Sequence, residues 1–370
     1  MIEIELSRFI LVISVVVVII EYYRTHRVTG GSLTPGYLSI LILGQEWSLL
    51  VSVGIFTLIT FLIMRLFVMR WFLLTKPWVY GTGVLVSVVA HSFLNITDSL
   101  VTLPNAFGLV LIAGLFVTPG LIAYDLTAQG IRKTTTEIVI ITAVVCVICL
   151  PFALTDALPD TPIGNFTGRI EPDWWWIAVS AAVISVLALR MARGLATAGY
   201  IGAVFLVEVA FWDSLLLLLL CVIAARLIAF VSLQRFILTP RQKFQFSFLI
   251  GAIVTWTVIY WGNEWGWDAA SRLDAFTLEP LVIAGLLVSD LGRNSIWRTI
   301  LGVGSAVAFV VVQLLAVSVN PWVGAATAVV LFGIVLLLAR DALTKLFASV
   351  GLAVDEGKLW RPNPSPASPS

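Results

Sequence analysis

Charge is what this chain has least of. Aspartate, glutamate, lysine and arginine make up 12% of its 370 residues, and 60% are hydrophobic. A soluble globular domain carries about a quarter charged residues and is nearer half apolar. With a mean hydropathy of +1.04, the composition excludes a water-soluble fold and requires an integral membrane protein. Histidine is scarcer still: His26 and His91 are the only two, far apart in sequence, so no spaced His/Cys metal set exists. The three cysteines, Cys146, Cys149 and Cys221, all lie inside apolar runs. Cys146 and Cys149 form a C-x-x-C within TAVVCVICLPFAL, where small polarizable packing residues are expected rather than redox or metal chemistry. There is no Walker loop, no G-x-S-x-G and no H-E-x-x-H. Gly81-Thr82-Gly83 heads an apolar span with no strand before it, and reads as helix packing. No catalytic residue, metal or cofactor is expected. The net charge of +1, with basic residues spread thinly, gives no case for nucleic acid.

What is present is a series of long apolar runs. A spanning helix needs about 20 mostly apolar residues. Full-length candidates lie at about 6–23, 47–68, 78–96, 134–154, 174–190, 212–233, 246–262, 299–319 and 321–339. Shorter pieces at about 33–43, 106–123, 195–207 and 278–289 are candidates for broken or re-entrant helices. The first run is followed by EYYRTHR and preceded by Glu3 and Glu5, so it reads as a retained anchor rather than a signal peptide. Basic residues cluster at Arg24–Arg27, Arg65–Lys76, Arg132–Lys133, Arg190–Arg193, Arg235–Lys243, Arg293–Arg298 and Arg340–Lys345; the acidic loops are Asp156–Asp173 and Glu264–Glu279. If every short piece crosses, the basic loops share one side and the acidic loops the other. The amino terminus is then outside and the carboxyl terminus cytoplasmic, in a multi-pass protein of the cell membrane. Trp174, Trp175, Trp176, Trp261, Trp265 and Trp267 flank the outer ends as an aromatic belt would. Residues 340–354 read equally as an interfacial helix or an extension of the last span, and the Pro/Ser-rich end WRPNPSPASPS as disordered.

The chain also repeats itself. PGLIAYDLTAQGIRKT (Pro119–Thr134) aligns without gaps on AGLLVSDLGRNSIWRT (Ala284–Thr299), at an offset of 165 residues. The same offset pairs Trp47 with Trp212, Arg70 with Arg235 and Asp125 with Asp290. Near the front it slips to 163, pairing Thr34-Pro35-Gly36-Tyr37 with Thr197-Ala198-Gly199-Tyr200. Equivalent basic loops fall on one side, so the repeats read as parallel, not inverted. The expected architecture is an all-α polytopic membrane protein. It has a first repeat over 1–154, a degenerate second over 155–319, an extra span over 320–339 and a cytoplasmic tail over 340–370.

Two Thr-Pro-Gly breaks carry the functional reading. Proline starts helices more readily than it sits inside them, and threonine before it suits an N-cap. Thr34-Pro35-Gly36 therefore reads as the head of a short helix Tyr37–Leu43, and Thr118-Pro119-Gly120 as the head of another over Leu121–Ala128. Each start leaves free N–H groups and about half a positive charge, for which an anion is a natural partner inside a bilayer. The bland alternative is a proline kink satisfied by neighbouring helices. The second copy has lost both prolines, to Ala198 and Ala284. His91, Asn95 and Asp98 form a polar stripe on one span and become Trp256, Tyr260 and Asn263. His91 is either proton-sensitive or a packing histidine, and Asp98 reads as a solvated helix end. Asp125, with Gln129, Arg132 and Lys133 nearby, reads either as a mouth cluster or as ordinary loop pairing.

RVTGGSLTPGYLSIL followed by GLFVTPGLIAYDLTAQG resembles the PgsC/CapC family, the membrane subunits of poly-γ-glutamate capsule synthesis and export. The motif residues are Pro35-Gly36-Tyr37-Leu38 and Val117-Thr118-Pro119-Gly120-Leu121-Ile122-Ala123, with Gln129-Gly130, and the resemblance covers about residues 6–154. It implies a non-catalytic partner of an ATP-dependent amide ligase of the PgsB/CapB type and of an anchored PgsA/CapA-type protein. It also implies an anionic polymer as the transported species, one carboxylate per unit. The chain departs from the family in its length and in the proline-free second copy. The alternative is a free-standing secondary transporter of a small carboxylate or amino acid, since broken helices in repeats also mark transporters.

Overall fold

The computed structural model describes residues 4–25, 31–68, 79, 81–88, 109–155, 175–193, 195, 199, 202–209, 212–236, 238–276, 278–320, 322–324, 326, 327 and 330. Their regular structure is helical: α1 (Ile4–Thr25), α2 (Thr34–Leu43), α3 (Trp47–Ile63, continued by a π-helical turn Met64–Val68), α4 (Leu109–Gln129), α5 (Ile131–Thr155), α6 (Trp175–Arg193), α7 (Gly202–Glu208), α8 (Trp212–Leu233), α9 (Pro240–Glu264), α10 (Asp268–Asp274), α11 (Glu279–Arg293) and α12 (Ile296–Val319). Residues 81–88 are also helical. Six of the described helices are long and apolar enough to cross a membrane, or seven if α10 and α11, bent by 97° at their junction, count as one broken span. The protein is an all-α polytopic membrane protein. His91, Asn95 and Asp98, the acidic loop 156–173, most of the span expected over 321–339 and the tail 340–370 lie outside the described residues.

Burial is inverted as a bilayer demands. On α5, Thr134, Glu137, Ile138, Ile141, Thr142, Val145 and Cys149 face inward at helical spacing. Its opposite face exposes Val139, Ile140, Val144, Val147 and Ile148. Lipid replaces water around such a face, so the polar residues turn to the bundle interior, where small and hydroxylated side chains let helices meet. α8 and α12 do the same with Leu216, Leu220 and Ile223, and with Ile300, Leu301 and Leu315.

Local signals set several boundaries. Thr239 accepts from the Gln242 N–H, Gln242 answers with a bond from the Thr239 N–H, and Pro240 follows the cap, so α9 starts well before its apolar stretch. Gly130 turns between α4 and α5 at φ +91°, and its N–H donates to the Leu126 carbonyl at 3.2 Å.

The expectation of a helix start at Thr118 is not met. α4 runs unbroken from Leu109 to Gln129 with Pro119 in its interior. Proline removes one i to i−4 hydrogen bond but does not force the chain out of the helix when neighbouring helices hold it. Thr118, Pro119 and Gly120 are buried in the bundle. A Cβ on Gly120 would lie 2.6 Å from the Val84 Cα and 2.7 Å from the Gly83 carbonyl oxygen, so two helix backbones touch there. Gly120→Ala should therefore cost about 1–3 kcal/mol through forced separation of the helices. Gly304, in α12 with nothing within 4 Å of its built Cβ, should tolerate alanine neutrally or gain up to ~1 kcal/mol. Thermal unfolding of the two variants in the same detergent checks the contrast.

α2 differs from the other break. It begins at Thr34, with Pro35 in its first turn. The cap is Leu33 rather than Thr34, and no side chain caps the helix. Thr34 is buried, and its Oγ1 lies 3.8 Å from where a Cβ on Gly31 would stand, beside the chain entering the helix. With 10 residues, α2 is about 15 Å long, half of a bilayer's hydrocarbon thickness.

Candidate functional site

α2 sits at mid-depth in the bundle. A Cβ on Gly36 would lie 3.0 Å from the Ser14 Cβ and 3.1 Å from its Oγ, so Gly36 closes directly on α1. Ser14 is near the midpoint of the helix Ile4–Thr25. Further along, the Ser39 hydroxyl donates to the Pro35 carbonyl at 2.8 Å and approaches the Thr142 carbonyl at 3.4 Å. Thr142 is near the midpoint of the helix Ile131–Thr155. The Thr-Pro-Gly segment therefore starts a helix halfway along α1, and α2 meets the midpoint of α5 at Ser39. The first-turn N–H groups have no intrahelical acceptor, and the aligned peptides add a partial positive charge.

Around this start, hydroxyls stand without partners. The Ser14 Oγ and the Tyr37 OH are buried and make no hydrogen bond among the described residues, and the Thr142 hydroxyl likewise makes none. Burying a hydroxyl unpaired costs roughly 1–3 kcal/mol. Of these hydroxyls, Ser14 faces Gly36 in the first turn, Tyr37 is carried by that turn and Thr142 lies against Ser39 further along; each offers a donor, and a carboxylate supplies acceptor oxygens only. Tyr37 is also within electrostatic reach of Glu279, the first residue of α11, which is itself 1% exposed. The second half of the chain thus brings a carboxylate toward the first half's short helix.

The remaining sequence-selected residues divide. Thr118, Pro119 and Gly120 lie within α4, packed against residues 83 and 84. Asp125 is buried, and its backbone carbonyl accepts from the Thr134 hydroxyl at 3.0 Å. Gln129 is half-buried, whereas Arg132 and Lys133 are exposed on the first turn of α5. Asp125 is thus buried where Arg132 and Lys133 are exposed. His91 and Asn95 are outside the described residues.

Sequence reasoning missed Ser14, Glu279 and a buried ion network at the beginning of α1. Arg8, 0% exposed, donates to the Glu5 carboxylate at 2.6 Å, to the Asp274 carboxylate and, through Nη2, to the Asp274 carbonyl at 3.0 Å. The Trp256 indole N–H donates to the other Glu5 oxygen, and Asn263 reaches Asp274 at 3.4 Å. The network ties α1 to α9 and α10. Its signal was a Glu and an Arg spaced i, i+3 at the head of an apolar run.

Residues 13–135 match the family model for capsule biosynthesis CapC. No curated protein and no solved structure matches the chain. The CapC-like segment covers a third of the sequence, and a role in capsule biosynthesis is what that similarity points to. It contains every residue that the sequence marked as a candidate, and Ser14 besides. Arg8, Glu279 and the whole of α6 to α12 fall outside it. The carboxylate beside Tyr37 is therefore an addition to the CapC segment made by the rest of the chain.

Proposed function

We propose that the chain is a non-catalytic membrane subunit of a poly-γ-glutamate synthesis and export complex, and that the start of α2 lies on the path of the polyanion. Its partners on this reading are a PgsB/CapB-type ligase and an anchored PgsA/CapA-type protein, with the amino terminus outside and the carboxyl terminus cytoplasmic. One observation carries it: a helix that begins at mid-depth, at Thr34 and Pro35, with the buried hydroxyls of Ser14 and Tyr37 left for an acceptor. A γ-linked glutamate chain presents one carboxylate per unit to such donors.

Two parallel repeats are part of the proposal. Helix starts at Trp47 and Trp212, and at Ile131 and Ile296, share the 165-residue offset. α1 and α2 pack on α5 as α6 and α7 pack on α12, and α3 packs on α4 as α8 packs on α11. Gly120 meets Gly83, and at the same offset Gly285 meets Phe248. On this reading the second copy, lacking both prolines, replaces a second subunit and supports the path without repeating it.

Pro35→Ala and Tyr37→Phe together should reduce surface polymer roughly tenfold or more, as loss of a buried charge-assisted contact does. Pro119→Ala, which only restores a helix hydrogen bond, should leave polymer unchanged. Surface polymer would be measured beside membrane insertion. Normal polymer in a correctly inserted Pro35/Tyr37 variant would refute the site. Uptake of labelled glutamate by the chain alone in vesicles would support a transporter instead.

A further inference from the structure

Outside the CapC segment, Arg241 and Arg293 both lie at the head of α9, and Arg190, near the end of α6, is within electrostatic reach of Arg293. Arg190 lies in the last turn of α6, Arg241 in the first turn of α9, and Arg293 ends α11. Arg293 feels the like charges of Arg190 and Arg241, with Asp290 the acidic group acting on it. None of the three forms an ion pair with a carboxylate among the described residues. Arg241 and Arg293 are held by other means. The Arg241 guanidinium stacks 4.9 Å over the Tyr22 ring of α1. Arg293 stacks 4.7 Å over the Phe244 ring, and its Nη2 donates to the Pro240 carbonyl at 2.8 Å.

Folding stability does not ask for this arrangement. Like charges repel, and a cation in the first turn of α9 faces the positive end of the helix dipole. The N-terminus of α9 is already satisfied by the Thr239–Gln242 capping box, so its backbone is not the anion's partner. Stacking and a backbone carbonyl orient the guanidinium planes while leaving donor edges for a ligand. Tyr22 and Tyr124, the latter within electrostatic reach of Arg241, both belong to the CapC segment. The cluster therefore borders that segment.

We infer that Arg190, Arg241 and Arg293 form a docking site for a multivalent carboxylate chain at the basic end of the bundle. Arginine forks match carboxylates in pairs, and two oriented forks with a third guanidinium in electrostatic reach favour a ligand carrying several carboxylates over a single anion. The inference rests on the polyanion reading of the path, but not on the α2 start. Anionic oxygens can also come from lipid phosphates, and the test separates the two sources.

The probe is a fluorescent γ-linked glutamate decapeptide, titrated onto the full-length chain in nanodiscs of zwitterionic lipid. Wild type should bind it, with glutamate monomer at least about 100-fold weaker, and binding should weaken steeply with salt. The variant R190Q/R241Q/R293Q should lose roughly tenfold or more in affinity and most of the salt dependence. Unchanged helicity and thermal midpoint would establish that it is folded. Single Arg→Lys variants, which keep charge but lose the fork, should fall between, even if the triple variant misfolds. Decapeptide binding unaltered by the triple variant or by the lysine variants would overturn the site. So would binding seen only when anionic phospholipid is added, which would assign the arginines to lipid headgroups. Normal surface polymer in the inserted Pro35→Ala/Tyr37→Phe variant would refute the α2 path alone, whereas the docking site is judged by the arginine-dependent, salt-sensitive part of decapeptide binding.

Discussion

Arg8→Leu is expected to destabilise the protein by about 3–5 kcal/mol, because removing one partner of a buried ion network leaves uncompensated charge behind. The guanidinium is 0% exposed and bonded to both Glu5 and Asp274, which are 2% and 9% exposed. The Glu5 side chain is 3% exposed and that of Asp274 12%, so little solvent reaches either carboxylate when the arginine is gone. The triple variant E5Q/R8L/D274N should recover most of the loss, since neutral groups are cheaper to bury than lone charges. Equilibrium unfolding in mixed micelles measures both. A loss below about 1 kcal/mol for Arg8→Leu would mean that the network is solvated. Because Arg8 and Asp274 are 266 residues apart, the same variant should also loosen α1 from α9 and α10, read as faster hydrogen exchange at the head of α1.

The second large effect concerns the contact at the start of α2. Gly36→Ala puts a methyl group 3.0 Å from the Ser14 Cβ, and should cost about 1–3 kcal/mol by overpacking. Ser14→Gly in the same chain removes the opposing atoms and should restore the thermal midpoint. It also removes a hydroxyl of the proposed path, so surface polymer should stay at least about tenfold below wild type. Recovery of stability without recovery of polymer separates a ligand role from packing. Full recovery of both would reduce Ser14 to a spacer.

The long spans were legible because lipid imposes a simple rule, a run of about 20 apolar residues. Trp212 to Leu233 falls where expected, and α3 begins at Trp47. The errors have physical causes. α9 is expected from 246 but starts at Pro240, since a capping box, not hydropathy, nucleates it across Arg241, Gln242, Lys243 and Gln245. α5 and α12 extend three residues earlier than expected, into their basic first turns, set by Gly130 and by the Ser295 cap. Thr34-Pro35-Gly36 and Thr118-Pro119-Gly120 read alike, yet only the first starts a helix. Local sequence cannot tell a proline that begins a helix from one that neighbours hold inside it. The contact of Gly120 with residues 83 and 84 decides the second case, and it is a tertiary fact. Glu279, Asp274 and the arginines of α6, α9 and α11 were invisible as sites for the same reason.

The central claim is that the start of α2 meets anions inside the membrane. Accessibility at position 34 tests it most directly. In a chain whose three cysteines are serine, Thr34→Cys would be exposed to an anionic thiosulfonate in proteoliposomes, with and without γ-linked polyglutamate. The account predicts modification that the polymer slows several-fold, while native Cys149, buried in α5, stays inert in a matched single-cysteine chain. An introduced thiol as unreactive as that of Cys149, or one that polyglutamate does not protect, would contradict it.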